Sequence, residues 1–461
     1  MTKLRIAVLT VLTIAILATP AGSAFGWTQR AEKQLINQVQ DEIEPALIAY
    51  TYFGVEYLSS VWMNFDPNIN AASTLRYTSW TVGGGGSSTT GAIPTVADYS
   101  TYADPVLVKH PQVNRIFLVA LAQQGGSGSL NTAIVVWYSN NGGSSWSSGQ
   151  TLAVDSATVD GSGNVLTGAV LDKPVAATGP DGKLWVSYIR NTNVPNAGAL
   201  NHLTVRYGTT SGSPLTWTWS SAITVTNQAA PMAPQIAVDS NNDVYVLATR
   251  SPGIGFWRDD AQTPGVSFAA LPFIPGVGTL YRGTTILLSP GIRLRAVTVP
   301  IMKLDRVSRR ISVVWHEGGA FDIPNQEWLD TRLQYAVWRL DTGGWSNATF
   351  AAGAGIHHVN VGLDYDSSGN VLVTWYRFSG TTYQSCGKYV TFDANHNPQW
   401  VSDNVVTNRL GNAANLTPDS TGMRYIGEYH EVSFTNGKFN SVHIIAVAPW
   451  SDPWAFTVSQ P

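Results

Sequence analysis

The sequence predicts an all-β chain organised as a seven-bladed β-propeller with four-stranded antiparallel blades. Three observations predict it. One phrase recurs seven times at intervals of about sixty residues: a residue before a Pro in the first five copies, an apolar run, a Gly/Asp/Asn turn and a second β-rich run. The stretches between copies carry further strand signals, enough for two outer strands each. The composition, with 43 Gly, 17 Trp and 18 Tyr against only 12% charged residues, suits many short strands joined by tight turns.

In order, the copies begin at Glu44-Pro45-Ala46-Leu47-Ile48, Asp104-Pro105-Val106, Lys173-Pro174-Val175, Ala233-Pro234-Gln235, Val299-Pro300-Ile301, His358-Val359-Asn360-Val361 and the divergent Glu428-Tyr429-His430-Glu431-Val432. The Pro is read at each strand's first residue, where a missing N–H costs no ladder bond. Lys173 to Arg190 is the clearest copy, a hairpin turning at Gly179-Pro180-Asp181-Gly182. Asp239 to Asp243 and Asp366 to Asn370 fill the same slot, and their Asp and Asn are read as turn residues rather than calcium ligands. Outer strands are expected at Thr132 to Tyr138, Leu203 to Tyr207, Leu333 to Trp338 and Tyr383 to Phe392. The last copy has only Trp454 to Val458 for its outer part, so Gln34 to Val39 is the expected closing strand. The Gly83 to Ser88 run reads as an inter-strand loop. Six blades is the alternative, if a terminal copy merges with its neighbour.

Residues 1–24 read as a signal peptide: Lys3 and Arg5, an apolar run from Ile6 to Ala18, Pro20, then small residues ending at Ala24. Residues 25–461 are expected to form one propeller domain, exported to the periplasm or the extracellular space. No later apolar run is long enough to span a bilayer, so no membrane insertion is expected. Cys386 is alone, which excludes an intrachain disulfide. A net charge of −3 gives no electrostatic footprint for nucleic acid. No cofactor is expected, and His316, His357, His358 and His430 lack close metal-ligand spacing.

Ser139-Asn140-Asn141-Gly142-Gly143-Ser144-Ser145-Trp146 resembles the Asp-box of sialidase-like propellers, Ser-x-Asp-x-Gly-x-x-Trp, with Asn141 in the Asp position. Leu340 to Trp345 is a shortened echo. Glu42-Ile43-Glu44-Pro45, Asp172-Lys173-Pro174 and Tyr425-Ile426-Gly427-Glu428-Tyr429 are similar to phrases of secreted BNR-repeat, exo-sialidase-like proteins, in which Gly-Asp-Tyr is the commoner last form. The resemblance covers nearly the whole chain after residue 24 and implies a propeller whose box turns lie away from the site. It also implies an extracellular glycan or glycoconjugate as partner.

Aligning the copies places Arg190, Arg250, Glu317 and Arg377 at equivalent positions after the second strands. Three guanidinium forks there suit the carboxylate of an acidic sugar, and they equally suit strand ends that pair with neighbouring acids. The chain lacks the Arg-Ile-Pro phrase that usually supplies a sialidase's first arginine. Glu44, Asp104, Asp172, Glu317 and Glu428 share that face. Hydrolysis would use Asp172, Glu317 or Glu428 as acid/base and Tyr429 as nucleophile, with Arg190, Arg250, Arg377, Glu44 and Asp104 on substrate. The competing class is a non-catalytic, lectin-like or protein-interaction propeller.

Overall fold

The computed structural model describes residues 29–459 except 35–40, 67–70, 83–87, 127, 161–164, 195–197, 213–214, 227–230, 251–252, 262–266, 279, 281–284, 296, 320, 323–326, 401–403, 407–408, 417–422, 425, 427–429 and 448–449. The fold is all-β; one short 3-10 turn, Ala413–Asn415, is the only helical element among the described residues. Residues 1–24, expected to be a signal peptide, and Glu428 and Tyr429 lie outside the described residues.

Among the described residues, seven four-stranded antiparallel runs follow one another, here numbered I to VII. Their first strands are Asp41–Tyr52, Thr101–Lys109, Val165–Thr178, Met232–Val238, Ile301–Asp305, Ile356–Tyr365 and Val432–Thr435. Each first strand packs beside the next one in chain order, and the seventh packs beside the first. Runs II and III are joined into one sheet, because Val165 to Gly168 also pair with Ala157 to Val159. Run VII takes its fourth strand, Gln29–Gln34, from the other end of the chain, against Trp454 to Val458. That strand lies earlier than expected; Leu35 to Val39 lie outside the described residues.

Apolar side chains between neighbouring sheets form the core. Trp62, Trp137, Trp315 and Trp375 are fully buried. Each hides a large apolar surface, which makes the tryptophans packing elements rather than exposed stacking platforms. Cys386 is buried in the core between sheets V and VI.

Four of the five prolines sit differently from the sequence expectation, while Pro300 directly precedes its strand, Ile301–Asp305. Pro45, Pro105, Pro174 and Pro234 lie inside their strands, at β-bulges where the register skips from Ile43 to Ala46, Ala103 to Val106, Asp172 to Val175 and Met232 to Gln235. A bulge leaves its extra residue out of the ladder, so the absent N–H forfeits nothing. The residue before each Pro has positive φ: Glu44 at 52°, Asp104 at 51°, Lys173 at 49° and Ala233 at 47°. Sheet VI repeats the device without a proline, skipping between Val359 and Val361 with Asn360 at 49°.

Ser139 to Trp146 forms a tight turn. Gly143 N–H donates to Ser139 Oγ at 2.9 Å, Ser145 N–H donates to Asn141 Oδ1 at 3.0 Å, and Gly142 and Gly143 take positive φ. One feature has no counterpart in the sequence expectation: Thr285–Ser289, Ile292–Arg295, Phe321–Asp322 and Glu327–Trp328 form an additional small four-stranded sheet. Its Ile286, Leu288, Leu294 and Trp328 pack on Tyr376, Phe378 and Ile444 of sheets VI and VII.

The hairpin between the first two strands of sheet I is a two-residue loop, with Tyr52 paired to Val55 and both Phe53 (46°) and Gly54 (76°) at positive φ. That geometry favours Asn-Gly, and Phe53 is 88% exposed. Phe53→Asn is expected to raise unfolding free energy by about 1 kcal/mol in urea titrations, since it relieves strain without opening the core; a loss of stability would contradict the turn assignment.

Candidate functional site

The first strands give the assembly two ends. Their bulges lie at one end, and the turns into the second strands lie at the other. Between them runs a cavity of about 410 Å³ lined by the first strands of sheets I to V and VII. The five positive-φ residues mark the bulge end, and a left-handed backbone on a non-glycine residue persists only where its surroundings enforce it.

At that end Glu44 and Asp104 are buried, with 1% and 4% of their surface exposed. Lys173 Nζ reaches Asp104 Oδ1 at 2.7 Å, tying bulge III to bulge II. Asp104, Lys173, Pro174, Gln235 and Glu431 surround a narrow cavity of about 40 Å³. Gln235 is held at both ends of its amide, by Pro234 O and by Met302 N–H. Beside it lies a second cavity of about 140 Å³, where Asp172, Lys173, Asn191, Asn201 and Arg295 meet Ile189 and Met232. Lys173 and Ala233 line both cavities, so the bulges form their shared wall.

Of the residues expected from sequence, Asp104 and Asp172 line these cavities, and Glu44 occupies the matching bulge of sheet I. The arginines are not gathered there. Arg190 forms a bidentate pair with Asp155 on the outer strand of sheet II, at 2.6 and 2.9 Å. Arg250 lies over the Phe273 ring, 4.2 Å from its centroid. Arg377 is exposed, and none of the three lines the cavities just described.

Glu317 is fully buried and its carboxylate is occupied. It accepts from Gly278 N–H, Arg332 Nε and Gln334 Nε2, each at 2.7 Å, and from Trp315 Nε1 at 3.3 Å. A buried carboxylate that satisfies four donors is a structural anchor; here it clamps the chain at Gly278 to sheet V. Lys173, Asn191, Asn201 and Arg295 were missed by the sequence reading. Lys173 stood inside a repeat phrase, but Arg295 belongs to the insertion and has no repeat position.

His316, His357, His358, His430 and His443 are buried. His430 and His443 meet as tilted rings with centroids 4.3 Å apart, and His430 Nε2 lies 2.7 Å from Thr374 Oγ1. Burial pushes His430 down to about 3 and His357 to about 4, and holds His443 well below the ordinary range. No group of three metal-ligating side chains occurs among the described residues. Asp364 is shifted the other way, up to about 6, by burial opposed by Lys303.

No family model and no curated protein matches the chain. Among solved structures it is similar to a protein of unknown function from Dyadobacter fermentans, at 10% identity and TM-score 0.48, covering 95% of this chain and 100% of that one. It is also similar to an α-L-arabinofuranosidase from Fusarium graminearum, at 12% identity and TM-score 0.46, covering 94% and 98%. A sialidase from Trypanosoma rangeli matches at 12% identity and TM-score 0.40, with 81% of this chain on 56% of that one.

Two outcomes follow from the buried charges. Glu317→Ala strands Arg332 and the Gly278 amide without their acceptor and is expected to cost about 3 kcal/mol of stability by urea unfolding; a loss under half of that would show the anchor is dispensable. In the unfolded chain His357, His430 and His443 protonate near pH 6.5, whereas in the fold they stay neutral. At these four groups, falling pH therefore adds three protons to the unfolded state against one at Asp364 in the fold, and stability falls. Melting temperature is expected to drop from pH 7 to pH 5, and a flat profile would overturn the assignment.

Proposed function

We propose that the chain is a secreted seven-bladed propeller of the sialidase-like kind that binds an extracellular glycan at its bulge end. The ring is supported by the order of first-strand packing, in which the seventh meets the first, and by the N-terminal strand completing sheet VII. One observation carries the glycan reading: the 140 Å³ cavity combines acceptor, donor and mixed groups, Asp172, Lys173, Arg295, Asn191 and Asn201, around the apolar wall of Met232. A sugar presents this alternation, with vicinal hydroxyls that donate and accept along its edge and C–H groups on its face. For an acidic sugar, Arg295 and Lys173 supply the cations, in place of Arg190, Arg250 and Arg377.

Hydrolysis is the second reading, favoured by Asp172 and Asp104 lying in adjoining cavities on either side of Lys173. Glycosidases work with two carboxyl groups flanking the bond.

Glycan-array screening followed by calorimetry on the best ligand tests the binding. Lys173→Met and Asn191→Ala are each expected to weaken it about tenfold, about 1.4 kcal/mol, with Arg377→Ala unchanged. Absence of any glycan ligand, or affinity untouched by both cavity variants, would overturn the proposal. Release of fluorophore from aryl glycosides and sialosides, abolished by Asp172→Asn, would establish the hydrolytic reading; no release would exclude it for those substrates.

A further inference from the structure

The opposite end of the central cavity carries its own chemistry. Lys109 ends the first strand of sheet II, and Arg306 stands in the turn after the first strand of sheet V; both line the 410 Å³ cavity. Thr178 lies between them, donating through its hydroxyl to Lys109 O at 2.7 Å and accepting at its carbonyl from Arg306 Nη2 at 2.6 Å. Arg306 Nε also donates to Val238 O at 3.0 Å, so this one side chain laces the turn ends of sheets III, IV and V.

Neither cation is neutralised by an ion pair among the described residues. Lys109 Nζ stands over the Tyr50 ring, 5.0 Å from its centroid, and burial alone shifts it, downward. Arg306 bonds only to carbonyl oxygens and is likewise pushed down by burial, with Asp239 opposing. The nearby carboxylates are committed elsewhere. Asp305 accepts from the amides of Val307 and Ser308, Asp239 from those of Asn241 and Asp243, and Asp181 pairs with Lys183. Deeper in the cavity, Lys303 is matched by Glu431 at 3.3 Å.

We propose that this end of the cavity is a binding site for a small oxyanion, a phosphate or carboxylate group held between Lys109 and Arg306. Lys109 is half-buried, and the guanidinium of Arg306, an exposed residue, is fixed on two carbonyl oxygens at the same end; neither is paired with a carboxylate among the described residues, and their pull on an anion grows where the cavity wall excludes water. A guanidinium with part of its fork already engaged fixes the group's orientation, while the ammonium acts as a point charge. The cavity is of the size that takes a small molecule, about 300–1,000 Å³ in typical sites. This site is independent of the glycan cavity at the bulge end.

Calorimetry of the purified chain at low salt with inorganic phosphate, and separately with citrate, tests it. Saturable one-to-one binding of either is expected; tighter phosphate assigns a phosphoryl ligand, and tighter citrate a carboxylate. Lys109→Met is expected to weaken binding at least tenfold while leaving the Arg306 bonds and the melting temperature intact, and Arg306→Met to weaken it similarly. Lys173→Met, at the other end, is expected to leave it unchanged. Failure of both anions to bind, or affinity unaffected by Lys109→Met, would overturn the proposal without touching the glycan reading.

Discussion

The structure depends on one backbone constraint, the left-handed bulge in the first strands of sheets I, II, III, IV and VI. Each bulge inserts a residue that the ladder does not pair, and four of the five put a proline immediately after it. A left-handed non-glycine residue costs about 1–3 kcal/mol, and the repetition means the fold bears that cost several times over. The return is alignment: every bulge shifts the strand's register and turns its end toward the same region. Glu44, Asp104 and Lys173 are presented there by backbone geometry that side-chain packing alone would not enforce.

Charge in this chain is scarce and mostly committed. Glu317 saturates four donors, Arg190 is consumed by Asp155, and Asp104 by Lys173. In a low-charge protein each buried ion must find its partner inside the fold, because water is not there to solvate it. Cations and carboxylates that look catalytic when aligned by sequence are therefore often parts of the frame. Those that face a cavity stand out by contrast.

Much of the fold was legible because a repeat fixes many strands at once. The hairpin at Lys173 to Arg190, the outer strands through Leu203 and Leu333, and the Ser139 to Trp146 turn fall where their residues place them. The bulges escaped because an X-Pro pair reads equally as a strand start, and only the pairing partner reveals the skipped register. The arginines share a repeat position, yet a repeat position fixes a backbone level and not the direction of a long side chain. The small inserted sheet escaped too, since its strands of two to five residues carry no periodicity and depend on contacts with sheets VI and VII. Arg295 and its cavity went unseen with it.

Sheet VII is made from both extremities of the chain, with Gln29–Gln34 resting on Trp450–Ser459. During synthesis the first of these strands leaves the ribosome more than four hundred residues before its partner exists. For all that time it is an unpaired edge, the kind of segment that invites pairing with another molecule. Its sequence, Gln-Arg-Ala-Glu-Lys-Gln, is short and densely charged, in a protein where charge is otherwise rare. Placing much of its local charge on the strand that must wait longest keeps that strand hydrated and solitary until its own chain arrives.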